Sequence, residues 1–378
     1  MLSRLGLSCV VLAGLLTAPG AAGPALLFEP KTGKVLYAED VDHVWHPASL
    51  TKIMTAYLTL EAFRTGRLQP DQKLTASEKA TLQDPSKIGL PVNAQISAEL
   101  ALQAVVVKSA NDATVILAEA IAGSEEDFVK LMNDTARRLG MKRTHFVNTN
   151  GLPAPDQVTT ARDLAKLSVA LLRDFPDQNH LWAQAEVRVG KKRLRTHNGL
   201  LRTFEGAYGI KTGFICDSGY NVVASATREG RRLVAVVLGE TSGRERSVRA
   251  ASLLEHGFQA YDWKQLFNAT TLDTLPAMEE AKGIQSIRQS VHNWACNGRR
   301  TQRIVAKKRK SAPAATAQAG AAPVVPAAAQ AAPPAKKPAA KAAAAPQAAP
   351  VAGAQTPTGS VAPSPGVAKR AAAPKATQ

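Results

Sequence analysis

Two short apolar runs, 25–29 and 35–38, lie on either side of Pro30-Lys31-Thr32-Gly33. Runs of that length, broken by proline and glycine, predict a hairpin of two strands. The period then changes from two to that of a helix. Ile53, Tyr57, Leu58 and Leu60 recur on one face, and Leu100, Ala101, Ala104, Val105 and Lys108 form a second helix behind Ser97, a natural N-cap. A third helix is expected over 113–121. Phe128, Leu131, Met132, Ala136 and Leu139 repeat at helical spacing and stop at Gly140, a residue type that ends helices well. Residues 160–172 read as helix again, whereas 76–88 are polar and irregular. After about Glu186 the texture becomes strand-like, at 202–211, 220–227 and 233–238, with Gly230 supplying a turn and 248–258 a closing helix. Strands joined by short turns pair antiparallel. The expected fold is therefore of the α/β (α+β) class: an antiparallel sheet of about five strands flanked by helices, with a helical subdomain.

The two ends of the chain differ from this middle. Arg4, the apolar run 5–16 and the small residues Gly20-Ala21-Ala22 predict a secretory signal peptide over 1–22. No later run is apolar for long enough to span a bilayer, so an exported protein of the periplasm or cell envelope is expected. Cys9 falls in the leader, which leaves Cys216 and Cys296 in a compartment that permits disulfides; whether they pair stays open. His43 and His46 have no third ligand at useful spacing, so neither a metal nor another cofactor is expected. Net charge is +17, and the eleven Lys and Arg after residue 300, unaccompanied by Asp or Glu, supply most of it. From Ser311 onward the chain is mostly Ala, Pro, Lys and Gln, with too few large apolar groups to offset the entropy of ordering. The organisation expected is a folded domain over 23–262, an uncertain extension over 263–305 and a disordered basic tail over 306–378. Export removes nucleic acid as a partner. The tail's charge instead suits acidic envelope polymers or lipid head groups.

Chemistry concentrates at Ser49 and Lys52. Three apart at a helix start, they share a face, so the amine can reach the hydroxyl. A serine needs an adjacent base to become a nucleophile, and a lysine serves only when desolvation or a nearby cation depresses its pKa. Ser-x-x-Lys alone is common on surface helices. Here it is followed by Ser109-Ala110-Asn111 and Lys211-Thr212-Gly213, each at a boundary between elements.

This ordered triplet resembles the penicillin-recognising serine enzymes. The stretches Pro47–Thr55, Ser109–Ala113, Phe146–Leu152, Gly209–Gly213 and Gly219–Ala226 are similar, more closely, to D-alanyl-D-alanine carboxypeptidases of the low-molecular-weight penicillin-binding proteins. The resemblance spans roughly residues 24–260 and implies a β-lactamase/transpeptidase-like fold. It also implies a peptidoglycan stem peptide ending in D-Ala-D-Ala as substrate and β-lactams as acylating inhibitors. By the same resemblance Ser49 is the nucleophile, Lys52 its base, Ser109 a proton relay, and Asn111 orients Lys52 and the substrate. The N–H groups of Ser49 and Phe214 form an oxyanion hole, Lys211 and Thr212 take the substrate carboxylate, and Gly213 lets the substrate lie along the strand. Arg244 is the arginine expected to reach that carboxylate, with Arg246 its rival. Phe214 stands where many relatives have histidine, and their C-terminal β-rich domain and amphipathic anchor are not evident. A class A β-lactamase is disfavoured because its usual Ser-Asp-Asn element and deacylating glutamate loop are missing. A non-catalytic wall-binding scaffold is disfavoured by the intact Ser49, Lys52 and Lys211.

Overall fold

The computed structural model describes residues 23–267, 269–280, 282–293 and 296. The leader expected over 1–22 and the basic tail over 306–378 lie outside the described residues.

The N-terminal hairpin is β1 (Ala25–Phe28) and β2 (Val35–Glu39), and a 3-10 turn over Ala48–Thr51 leads into α1 (Lys52–Arg64). There follow β3 (Lys73–Thr75), α2 (Glu78–Thr81), β4 (Gln95–Ser97), α3 (Ala98–Val107), α4 (Asn111–Ala122), α5 (Glu125–Arg138), α6 (Ala161–Asp174) and α7 (Asn179–Ala183). The remainder is β5 (Glu186–Val189), β6 (Lys192–Arg195), α8 (Leu200–Thr203), β7 (Ala207–Ile215), β8 (Gly219–Arg228), β9 (Arg231–Glu240) and α9 (Gly243–Phe267). The expected cap at Ser97 forms, its Oγ accepting from Leu100 N, and Gly140 follows α5 at φ +70°; Thr160, read as the first helical residue, instead caps α6, its Oγ1 accepting from Asp163 N.

The main sheet has five strands in the order β2-β1-β9-β8-β7, all antiparallel. The hairpin thus joins the C-terminal meander through β1 and β9, with Leu27 opposite Ala235. Alternation along β9 sorts the core. Val234, Val236 and Leu238 pack with the helical middle, whereas Leu233, Ala235 and Val237 pack with Ala250 and Leu254 of α9. Helix α1 runs inside the helical layer and is buried at every position from Lys52 to Leu60. A helix apolar nearly all round must lie inside the protein, so Ser49 and Lys52 meet solvent only at its mouth.

Three expectations change. The strand anticipated over 202–211 is instead helix α8 followed by β7, which places Lys211-Thr212-Gly213 within a strand; Gly206, just before β7, adopts φ +73°, and Gly209, at φ +76°, sits where the register of β7 shifts. Helix α9 begins at Gly243, not near 248. Two small antiparallel pairs, β3–β4 and β5–β6, went unanticipated because strands of three or four residues leave little periodic signal.

The extension past 263 folds back on the domain. Val35 N donates to Thr270 O, Leu272 N to Gly33 O and His292 N to Thr241 O. The buried Arg162 guanidinium, paired with Asp42, also donates to the carbonyls of Leu272, Leu275 and Pro276. Cys216 and Cys296 are disulfide-bonded across a sequence separation of 80 residues.

Candidate active site

Ser49 sits on the 3-10 turn and Lys52 opens α1 one turn later. Lys52 Nζ lies 3.1 Å from Ser49 Oγ and donates to Asn150 O at 2.5 Å. The side chain is 1% exposed. Burial, reinforced by the Lys211 cation, pushes the amine well below its usual pKa against an opposing pull from Asp112. A neutral amine 3.1 Å from a serine hydroxyl can take its proton.

The turn that carries Ser49 is held from three sides. Asn221 of β8 is fully buried and donates to His46 O (3.0 Å) and Pro47 O (3.3 Å), while its Oδ1 accepts from Gly239 N. The loop after α5 comes so close that a Cβ at Gly151 would lie 1.8 Å from Ala48 O; its φ of +84° also favours glycine. Strand β7 closes the third side: a Cβ at Gly213 would stand 2.9 Å from Pro47 O, 3.1 Å from Ser49 N and 3.2 Å from Leu50 N.

Ser109 lies between α3 and α4 at φ +62°, and its buried Oγ has no hydrogen-bond partner among the described residues. Asn111 begins α4, and its amide donates to Asp84 O at 2.7 Å. The expectation that Asn111 orients Lys52 is corrected here, since the Asn150 carbonyl makes that contact. Asn150 falls inside the Phe146–Leu152 stretch, but it acts through its backbone, which a side-chain motif cannot reveal.

One cavity of about 560 Å³ joins Ser49, Ser109, Asn111, Thr212, Phe214 and Arg246. No Asp or Glu is among the described residues that line it. Lys211, next to the lining residue Thr212 on β7, is itself buried, 4% exposed. Its pKa falls to about 7 through burial and the neighbouring Arg246 cation. Arg246 is lowered by burial to about 10, so it stays charged at neutral pH. His197, with Lys108, Lys211 and Arg246 nearby, is pushed by burial and those cations to about 4 and is neutral. A larger groove of about 940 Å³, near Lys31, Arg138 and Arg232, holds none of the motif residues.

Arg244 is a second correction: it is exposed, and Arg246 is the arginine that lines the cleft, 7% exposed. Both lie on α9, where two positions differ by about 200° of rotation and so face opposite ways. Read as a loop ahead of residue 248, the segment offered no basis for choosing between them. His43 Nε2 and His46 Nδ1 each meet a backbone carbonyl, of Gly283 and Gln157.

A family model described as D-alanyl-D-alanine carboxypeptidase matches residues 17–242. D-alanyl-D-alanine carboxypeptidase DacA of Haemophilus influenzae is 36% identical over 243 residues, covering 63% of this chain and 62% of that relative's length. Penicillin-binding protein 5 of the same organism superposes with a TM-score of 0.61 at 36% identity, over 63% of this chain and 71% of the other. Penicillin-binding protein D2 of Listeria monocytogenes, solved in a cefotaxime-bound form, gives a TM-score of 0.58 at 34% identity, over 63% and 97%. Superposition on solved penicillin-binding proteins, one cleft lined by residues of all three motifs, and a family match across most of the folded part lead to one assignment: the chain belongs to the D-alanyl-D-alanine carboxypeptidase family.

Proposed function

We propose that this chain is a serine-type D-Ala-D-Ala carboxypeptidase that removes the terminal D-alanine from peptidoglycan stem pentapeptides, and that β-lactams acylate the same serine. The observation that carries the reading is Ser49 Oγ at 3.1 Å from a buried, pKa-depressed Lys52, at a cavity that Thr212 and Arg246 also line.

In this reading the terminal carboxylate sits against Thr212, Lys211 and Arg246, along the edge of β7. The scissile carbonyl lies over Ser49, between the N–H groups of Ser49 and Phe214, which donate to the developing oxyanion. Lys52 accepts the Ser49 proton as Oγ bonds to carbon. The C–N bond then breaks, and Ser109 passes a proton to the departing D-alanine amine, a role suited to a buried hydroxyl without a protein partner. Water attacks the ester in the second half-reaction, with the same lysine as base. Among the described lining residues there is no carboxylate to serve as the dedicated deacylating base of a class A β-lactamase. Asn111, fixed by Asp84, presents its amide carbonyl to the substrate backbone.

Residues 1–22 are the export leader in this reading, and 23–262 form the peptidase domain. The +11 carried after residue 300 holds the protein near acidic envelope polymers or lipid head groups. Among the described residues no helix is long and apolar enough to cross a membrane.

The test is free D-alanine release from a peptide ending in D-Ala-D-Ala, beside mass spectrometry after penicillin treatment. Wild type releases D-alanine and carries the adduct on Ser49; Ser49→Ala does neither. Lys52→Arg abolishes acylation, because a guanidinium does not act as a base. Release or labelling that persists in Ser49→Ala overturns the reading.

A further inference from the structure

The cleft's cationic end is built from two separate segments. One is the β7–β8 turn with Tyr220, and the other is the β9–α9 connection that delivers Arg246. Tyr220 joins them. Its ring stacks on Phe214 at 4.2 Å between centroids, and the Arg246 guanidinium carbon stands 5.9 Å from its centroid, within cation–π range. Arg246 is buried, and its guanidinium otherwise reaches only His197 O at 3.5 Å, so the aromatic face is its principal support among the described residues.

The C-terminal extension grips both segments at once. Ile287 N donates to Asp217 O at 3.0 Å, and Arg288 pairs with the Asp217 carboxylate at 2.8 Å. Ile287 also covers the turn so closely that its Cδ1 lies 2.4 Å from where a Cβ at Gly219 would stand. Beyond it His292 N donates to Thr241 O, two residues before α9. Val291 is fully buried, and Asn293 Nδ2 donates to Tyr220 Oη at 3.1 Å. The disulfide Cys216–Cys296 closes this stretch onto the turn, two residues past Phe214.

We propose that the extension over 284–293, held by Cys296, is part of the substrate-carboxylate subsite. Asn293 is a positioning residue that acts through Tyr220 on Arg246, and the Cys216–Cys296 disulfide locks the extension in place. Free of the extension, Tyr220 keeps its ladder pairing with Glu240 and its ring contacts, but nothing else described ties Tyr220 Oη. The disulfide then makes full carboxylate recognition depend on an oxidising compartment. Because Arg246 holds the carboxylate in the ground state and transition state alike, its misplacement appears in KM more than in kcat.

The inference rests on the carboxypeptidase reading above, and its test separates the two. Steady-state release of D-alanine is measured for wild type, Asn293→Ala, Tyr220→Phe, their double variant and Cys216→Ser/Cys296→Ser. Hydrogen exchange is followed at residues 215–220 and 241–246. Asn293→Ala is expected to raise KM about three- to tenfold, the worth of one positioned hydrogen bond, with kcat within about twofold. Tyr220→Phe gives the same change, and the double variant no more than either alone, since all three break one contact. The disulfide-free protein shows faster exchange in both segments and a larger rise in KM. A wild type that releases no D-alanine defeats the carboxypeptidase reading, and exchange alone then decides the inference. Equal exchange with and without the disulfide overturns it. So does an active wild type whose KM is unmoved by Asn293→Ala, or one in which only kcat falls.

Discussion

Replacing Gly213 by alanine is expected to cripple acylation while leaving the protein folded. The added Cβ meets Pro47 O at 2.9 Å, Ser49 N at 3.1 Å and Leu50 N at 3.2 Å. All three atoms are backbone of the turn that carries Ser49, so no side chain can rotate away. Restoring ordinary contact near 3.4 Å needs β7 and the turn to part by roughly 0.5 Å. Asn221 and the loop at Gly151 hold the turn from its other sides, so the movement falls on the strand. That strand carries the Phe214 N–H, half of the proposed oxyanion hole, away from Ser49 N. Losing one such donor costs about 10²–10³-fold, and misplacement by about 1 Å about 10²-fold. A fall of about 10²-fold in acylation rate is therefore expected, or about 2.7 kcal/mol in the barrier. Overpacking costs roughly 1–3 kcal/mol in stability. The assay is the rate of fluorescent penicillin labelling beside a thermal melt. Gly230→Ala is the control: its φ is +76°, but a Cβ there meets nothing within 4 Å. It should lose about 1–2 kcal/mol of stability and no activity. Labelling of Gly213→Ala within threefold of wild type would refute the argument.

Two further outcomes follow from the cationic end of the cleft. Arg246→Ala is expected to raise KM for a free-carboxylate peptide about 10- to 100-fold, the range for a hydrogen bond to a charged group, while exposed Arg244→Ala changes it less than about twofold; equal effects would mean the helix face has been misassigned. The pKa of Lys211 in the free protein, about 7 through burial and Arg246, gives KM a pH dependence. A bound carboxylate raises that pKa, so binding is strongest below about 7 and weakens as pH rises through it, by at most about tenfold per unit. Arg246, charged to about 10, limits the loss. Lys211→Arg should flatten the profile, and a wild-type KM that is flat from roughly pH 6 to 9 would contradict the assignment.

Much of this protein was legible in the one-dimensional pattern because the physics there is local. Helix periodicity, the cap at Ser97 and the stop at Gly140 depend on neighbours within one turn, so α1, α3, α5 and α6 could be placed from sequence. Ser49 and Lys52 pair across a single helical turn, and the motif order that marks the family is itself a property of the chain. What the fold alone decided depends on contacts distant in sequence. The Lys52 amine is pushed well below its usual pKa because α1 is buried and Lys211 approaches it from β7. Its carbonyl partner comes from Asn150, nearly a hundred residues on, through a backbone atom that no side-chain pattern encodes. The choice of Arg246 over Arg244 turned on where α9 begins, since one residue's error there rotates every later side chain by about 100°. The pairing of Cys216 with Cys296 and the return of the extension across the cleft's rim likewise required the chain to be folded, because only tertiary packing sets which backbones meet.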